Sequence, residues 1–339
     1  MSAQTIWRNS SQALLSVGLL LGIVLLLGCL VASIALGVAD IGPGEVYRAL
    51  IAPDGSTEHL IIRTVRIPRS LTALLVGSAI AVAGALMQGL TRNPLAEPGI
   101  LGINSGAAFA VVLSVFWLNT SSLSLYAVFA LVGAAVAAVT VYVLGSLGRG
   151  GLTPLNLTIA GAALTALVSS LTTAMLILSQ RTLEEIRFWL AGSVAGRDMD
   201  LVVQVLPYLA VGLCLGLVMG KQLTTLSLGE ETAQGLGQNT LWIKGLAAVS
   251  IVLLAGGSVA IAGPIGFLGL IVPHVVRFWT GADYRWTLPY SAVAGASLLL
   301  LADVVARLVI QPQELPVGIV MPILGAPFFV YLVRSQVRR

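Results

Sequence analysis

The chain has 339 residues, 57% of them hydrophobic and only 9% charged, with a formal net charge of +4 at pH 7. So little charge excludes a water-soluble globular protein and gives no basis for a nucleic-acid partner. A charge at the bilayer centre costs about 2.5–3.5 kcal/mol on insertion scales, so a chain that crosses lipid repeatedly clears charge from blocks of roughly 20 residues.

The first block predicts a span over 13–38, with a polar lead-in at Asn9-Ser10-Ser11-Gln12. As a secretory signal its apolar run of about 25 residues is too long, and no small-x-small site leads into a soluble domain. After a loop over 39–67, Arg63, Arg66 and Arg69 stand before or at the second span, 68–90. Pro68 suits a first helical turn, which sets Arg66 and Arg69 three apart on nearly one face. Either their stems cover apolar surface with the heads at the interface, or their guanidinium forks receive an acidic partner on the outer face.

No charge occurs between Glu97 and Arg149, and the polar run Asn119-Thr120-Ser121-Ser122 divides that stretch into spans 98–117 and 123–147. Spans 154–179 and 201–220 follow, separated by a loop over 181–200. The connector Lys221–Leu241 reads as two short helices. Leu228-Gly229 closes one, and Glu230 and Glu231 open the next, where negative charge favours a helix amino terminus. Ala233 and Leu236 give it a small apolar face suited to a groove on another protein. Spans 242–262 and 265–280 flank a break at Gly263-Pro264. The span 287–307 holds Asp303 and Arg307, four apart and able to pair, and 316–334 completes ten.

The expectation is an all-α polytopic membrane protein in one transmembrane domain, 1–339. Arg8, Arg92, Arg149, Lys221, Lys244, Arg277, Arg285, Arg334, Arg338 and Arg339 lie on the side of the termini, against eight arginines opposite, which sets both termini in the cytoplasm. Trp7, Trp117, Trp189, Trp242, Trp279 and Trp286 fall near span ends, where indoles prefer to sit. Cys29 and Cys214 both sit inside apolar spans and are expected buried and apart. Gly77–Gly84 resembles Gly257–Gly263, five spans later, and an odd offset inverts the second copy; two inverted repeats with broken helices make a transporter architecture.

Several stretches together resemble the permeases of ABC importers for ferric siderophores and cobalamin: Arg66-Ile-Pro-Arg69, Asn93-Pro-Leu-Ala-Glu-Pro-Gly-Ile-Leu-Gly102, the signature Gly263-Pro264-Ile-Gly266-Phe-Leu-Gly-Leu-Ile-Val-Pro273-His274-Val-Val-Arg277, and Ala302-Asp-Val-Val-Ala-Arg307 followed by Glu314-Leu-Pro-Val-Gly318. The resemblance runs in order over essentially the whole chain. It implies a type II importer permease in the bacterial cytoplasmic membrane. Its partners would be a second permease, identical or homologous, two ATP-binding subunits, and a periplasmic or lipid-anchored siderophore-binding protein. It also implies that 223–239, with Leu228, Gly229, Glu230, Glu231, Ala233, Gly235, Leu236 and Gly237, couples to the ATPase, and that Arg66, Arg69 and Arg307 meet glutamates of the binding protein. The turn 149–156, with Thr153, Pro154 and Leu155, would form the cytoplasmic gate. In cobalamin members adjacent small hydroxyl residues stand where Pro154 and Leu155 stand here.

No G-x-x-x-x-G-K-[ST] loop occurs, so ATP would be used by partner subunits and this chain would bind no cofactor. With His59 and His274 the only histidines, no ligand set for a bare metal ion is expected, and any iron would travel chelated. Iron(III)–siderophore is the expected cargo, with cobalamin or haem as alternatives. An ion-coupled secondary transporter acting through Asp303 is the competing class. An integral membrane enzyme is disfavoured, because no acid pair or nucleophile with a base converges at membrane depth.

Overall fold

The computed structural model describes residues 3–37, 39, 41–147 and 153–337, and every regular element among them is helical. In chain order these are α1 (Ala3–Ala35), α2 (Pro43–Ile51), α3 (Thr57–Ile61), α4 (Ile67–Thr91), α5 (Ile103–Leu118), α6 (Leu123–Ser146), α7 (Pro154–Leu178) and α8 (Gln180–Leu190). There follow α9 (Met199–Val218), α10 (Gly220–Ser227), α11 (Glu230–Gly235), α12 (Thr240–Ala262), α13 (Leu268–Thr280), α14 (Tyr284–Leu308) and α15 (Val317–Val337). Among the described residues seven helical runs are long and apolar enough to cross a membrane, and three shorter apolar helices lie at Ile103–Leu118, Leu268–Thr280 and Val317–Val330.

α4 is the axis of the bundle. Of its apolar window 83% is buried, against 67% for α12, 61% for α14 and only 6% each for α1 and α7. It packs on α14, α12, α13 and α9, and small residues let the backbones close in. A Cβ added at Gly84 would lie 1.9 Å from the Gly269 carbonyl oxygen, so α4 and α13 meet there without side chains between them.

Contacts at the helix ends fix the directions. Arg69 near the start of α4 meets Asp303 near the end of α14, whereas Tyr284 at the start of α14 lies against Gly89 near the end of α4. One end of the bundle therefore carries α10 and α11, and the other carries α2, α3 and α8.

Two expected loops are partly helical. Within 39–67, α2 and α3 form, and α3 continues through a π turn (Ile62–Arg66) into α4, so Thr57–Thr91 is one unbroken run. In a regular α-helix Pro68 would collide with the carbonyl four residues back; the wider π turn removes that clash. Charge-free spacing stops at Arg69 because it treats an arginine as exposed, and both Arg69 and Arg66 are buried. Within 181–200, α8 forms an amphipathic helix that buries Thr182, Ile186 and Trp189. Trp189 is thus a core residue, edge-on to Tyr126 with ring centroids 6.5 Å apart, and not an interfacial anchor. Trp117, Trp242 and Trp279 are exposed at helix ends. Cys29 is buried, but Cys214 faces outward from α9.

Candidate functional site

At the α8 end the three singled-out arginines are turned inward: Arg66, Arg69 and Arg307 are only 4%, 5% and 2% exposed. α1 ends there, and its last carbonyls have no partner within the helix. Arg66 Nη1 donates to Ile34 O (3.0 Å) and Ala35 O (2.7 Å), and its Nη2 donates to Ala39 O. Arg307 Nη1 donates to Ser33 O and Leu36 O, both at 2.9 Å. Two guanidinium groups thus cap one helix carboxyl end, whose partial negative charge favours them.

Asp303, 1% exposed, binds the arginines together. Arg69 Nε and Nη2 donate to its carboxylate at 2.8–3.1 Å, Arg307 Nη2 lies 2.7 Å from Oδ2, and Arg69 Nη1 reaches Glu314 Oε2 at 2.6 Å. Two cations and two carboxylates balance, which is what makes their burial tolerable. This corrects the sequence expectation in two respects. The arginines neither snorkel nor present free forks to an outer partner in this structure, and Arg307, which pairs with Asp303 as its four-residue spacing allows, points inward and not to the outer face. The exposed cations at this end are Arg48, Arg63, Arg181 and Arg187.

The signature residues form the break between α12 and α13. Gly263 has φ 74° and ψ −179°, and Phe267 has φ 67°. A Cβ on Gly263 would lie 2.1 Å from the Trp189 carbonyl oxygen, so glycine is required both for conformation and for space. Ser193 N donates to Ala262 O at 2.7 Å, tying the break to the chain after α8. Pro264 and Gly266 lie in the extended link and Pro273 is buried inside α13. His274 is half-buried, edge-on to Phe278 and Phe328, in a packing role. Glu97, from the Asn93–Gly102 motif, faces the Phe267 backbone N–H; burial pushes its carboxyl up and that N–H opposes the rise. Gln88 Nε2 donates to Leu270 O at 3.3 Å, while its Oε1 is buried without a partner.

At the opposite end the connector turns at Gly229, φ 125°, between α10 and α11. Glu230 Oε1 lies 2.5 Å from Lys244 Nζ and accepts from Thr240 at 3.2 Å. The Lys244 ammonium holds the Glu230 carboxyl below the usual range. Thr224 of α10 donates to Asp283 (3.3 Å) and accepts from Tyr284 N (2.9 Å), which fastens the connector to the start of α14. Ala233 is buried, contrary to the expected Ala233–Leu236 face; the apolar groups that stand out are Leu228 and Leu236, 68% and 67% exposed. Glu231, Gly235 and Gly237 are also exposed.

Of the expected gate, residues 149–152 lie outside the described part. Thr153 caps α7 by accepting from Asn156 N at 3.2 Å, Pro154 takes the first turn, and Leu155 is exposed. α7 then shows an exposed stripe whose middle is small and hydroxyl-bearing, with Ala162, Ala166, Ser169, Ser170 and Thr173, and whose ends are aliphatic, with Ile159 and Ile177. The Ser170 and Thr173 hydroxyls donate to carbonyls four residues back.

Sequence reasoning passed over Arg197. It is 8% exposed, donates through Nη2 to Ser193 O at 3.2 Å and leaves Nε without a partner. It lines a cavity of about 360 Å³ with Tyr126, Glu185, Trp189 and Glu314. Burial pushes its guanidinium down to about 10, against the pull of Asp198. A lone arginine in a loop gives no signal of this in sequence. No group of three or more His, Cys, Asp and Glu able to hold a metal ion occurs among the described residues.

Comparisons with known proteins bear on the whole arrangement. The model of the FecCD transport family matches residues 19–335. The chain is 49% identical over 312 residues to "Probable siderophore transport system permease protein YfiZ" of Bacillus subtilis, covering 92% of this chain and 94% of the relative. It is 44% identical to the Fe(3+)-citrate import system permease protein YfmD of the same organism, covering 97% and 96%. Among solved structures it is similar to the inward-facing form of an ABC transporter assigned to the metal-chelate type, with a TM-score of 0.81 at 32% identity over 94% of this chain and 98% of that one.

Proposed function

The chain belongs to the FecCD transport family, and from that membership we infer that it works as the permease subunit of an ABC importer for iron(III) complexes of the siderophore class. It is a transport subunit and not an enzyme. The relatives named above are named for siderophore and iron(III)-citrate import, which favours an iron chelate over cobalamin or haem.

The observation that carries the mechanism is the construction of the α10–α11 connector. Leu228 and Leu236 stand out from it, Glu230 is tied to α12 through Lys244, and Thr224 is tied to α14. A push on Leu228 or Leu236 from an ATPase subunit would therefore be passed to the two helices that flank α4. The exposed stripe of α7 is the candidate wall of the path, completed by a second permease subunit that is identical or homologous. A substrate-binding protein would deliver cargo at the α8 end, where the exposed arginines offer contacts for its acidic groups.

Burial supports an arrangement with both termini in the cytoplasm. Four of the eight outer arginines, Arg66, Arg69, Arg197 and Arg307, are buried, whereas Arg92, Lys221, Lys244, Arg277, Arg285 and Arg334 on the inner side are not. Counting only those that can meet lipid headgroups sharpens the positive-inside bias. The inverted repeat gains support from position: α4 and α12, five spans apart, are both central, and each leads through a break into a shorter apolar helix. The competing ion-coupled reading needs Asp303 free to exchange a proton, yet it is held by two arginines.

Uptake of radioactive iron, presented as several ferric siderophores, and of labelled cobalamin should be compared in cells with and without this chain, before and after ATP depletion. ATP-dependent loss of one ferric chelate is expected. Loss of cobalamin alone would change the cargo, and uptake that survives ATP depletion would overturn the mechanism.

A further inference from the structure

At the α10–α11 end, α6, α7 and α12 enclose a cavity of about 370 Å³ that the transport reading leaves unused. Most of its wall is apolar, with Ala135, Val139, Val252 and Leu253 among the lining, and charge gathers at one end, where Arg92, Lys244 and Glu230 meet. A second hollow of about 290 Å³ between α6, α9 and α12 shares Ala135, Val252 and Leu253 with the first. The two form one furrow along α12, leading away from the charged end.

Three properties select an occupant. The furrow opens sideways, since Val139 and Val249 on its rim are 62% and 50% exposed on helices long enough to span a bilayer, so hydrocarbon chains have direct access. Its charged groups sit only at one end, while Gln204 and Tyr208 are the polar side chains of the second hollow, which matches a molecule with an apolar tail and a single charged head. Two cations share one carboxylate there: Lys244 is paired with Glu230 at 2.5 Å, while Arg92 is exposed and makes no hydrogen bond or ion pair among the described residues. The head group favoured by that excess is an anion, and a guanidinium and an ammonium together suit phosphate oxygens.

We propose that this furrow is a binding site for an anionic phospholipid, with an acyl chain between α6 and α12 and the phosphate on Arg92 and Lys244. A phosphate drawing on Lys244 competes with Glu230, the first residue of α11, so lipid occupancy would loosen the tether of the connector. That consequence rests on the reading of 223–239 as the ATPase contact; the binding itself does not.

The test uses the full-length protein, purified in mild detergent, exchanged with mixed vesicles of phosphatidylglycerol and phosphatidylcholine, and examined by native mass spectrometry for retained lipid. Phosphatidylglycerol should be retained about tenfold over phosphatidylcholine, the scale of one charge-assisted contact. Arg92→Gln, which breaks no described hydrogen bond, should reduce that preference several-fold. Val249→Trp, at an exposed rim position, should reduce retention of both lipids. Equal retention of the two lipids by the unaltered protein would overturn the proposal, as would retention undiminished in both variants. A disulfide formed between two copies through Val249→Cys would put protein in the furrow and overturn it too. None of these readouts depends on transport, so their failure leaves the importer reading standing.

Discussion

Asp303 shows how a single side chain can set the state of its neighbours. Buried beside Arg69 and Arg307, it pairs with two cations, one of which, Arg307, caps the end of α1 together with Arg66. Removing one partner of a buried pair typically costs about 3–5 kcal/mol, because the remaining charge is stranded. Asp303→Asn is therefore expected to lower the thermal unfolding midpoint of the purified protein sharply, and Glu314→Gln, at a side chain 33% exposed, to lower it far less; equal midpoints would show that the cluster is not under this load. Charge reversal at Arg66 and Arg69 is expected to reduce stability before it reduces anything else. If the doubly reversed variant keeps its unfolding midpoint and loses only the stimulation of ATPase activity by the binding protein, these arginines are docking residues after all. The sequence made the importance of these positions legible through their spacing and their placement against the positive-inside bias. It could not show their partners, because the carbonyls of Ser33, Ile34, Ala35 and Leu36 lie about 30 or more residues away and carry no side-chain signature.

Among the elements, the connector between α9 and α12 was the more legible part. A glycine followed by two acids marks a helix break wherever it occurs, and α11 begins at Glu230. Which face it shows was not legible, since a six-residue helix has too few turns for periodicity to resolve, and Ala233 turned inward while Leu228 and Leu236 turned out. Leu228→Asp with Leu236→Asp is therefore expected to abolish ATP-driven uptake while the protein remains inserted and folded, because both side chains are exposed and their loss opens no cavity. Full uptake by that variant would remove the connector from the coupling path. Reversing Glu231 to lysine is the cleaner charge test than reversing Glu230, whose loss also strands Lys244. The helical run Thr57–Thr91 marks the limit of charge-free spacing at this scale: it finds where lipid must begin, not where a helix does.

For the molecule as a whole, hydrophobicity made the all-helical, many-span architecture plain, because every unmet backbone group in lipid must be satisfied within a helix. It could not say which apolar helix lies at the axis and which at the edge, for α4 and α7 are of equal length and similar composition. Burial separates them, 83% against 6%, and leaves the α7 stripe needing either lipid or a water-filled path beside it. Lipid favours large aliphatic groups there; the stripe carries Ile159 and Ile177 towards its ends, with Leu167 and Leu171 exposed beside it, but alanine, serine and threonine over 162–173. Cys214 supplies an internal reference, being exposed on α9. Ser169→Cys is expected to react with a membrane-impermeant maleimide in the assembled importer, at a rate that changes when ATP hydrolysis is arrested, while Cys214 stays unreactive on the lipid side. Ser169→Cys as inert as Cys214 would place α7 against lipid, and the path would then have to be sought along α15, a further apolar helix whose Ile319, Ile323 and Leu324 are exposed.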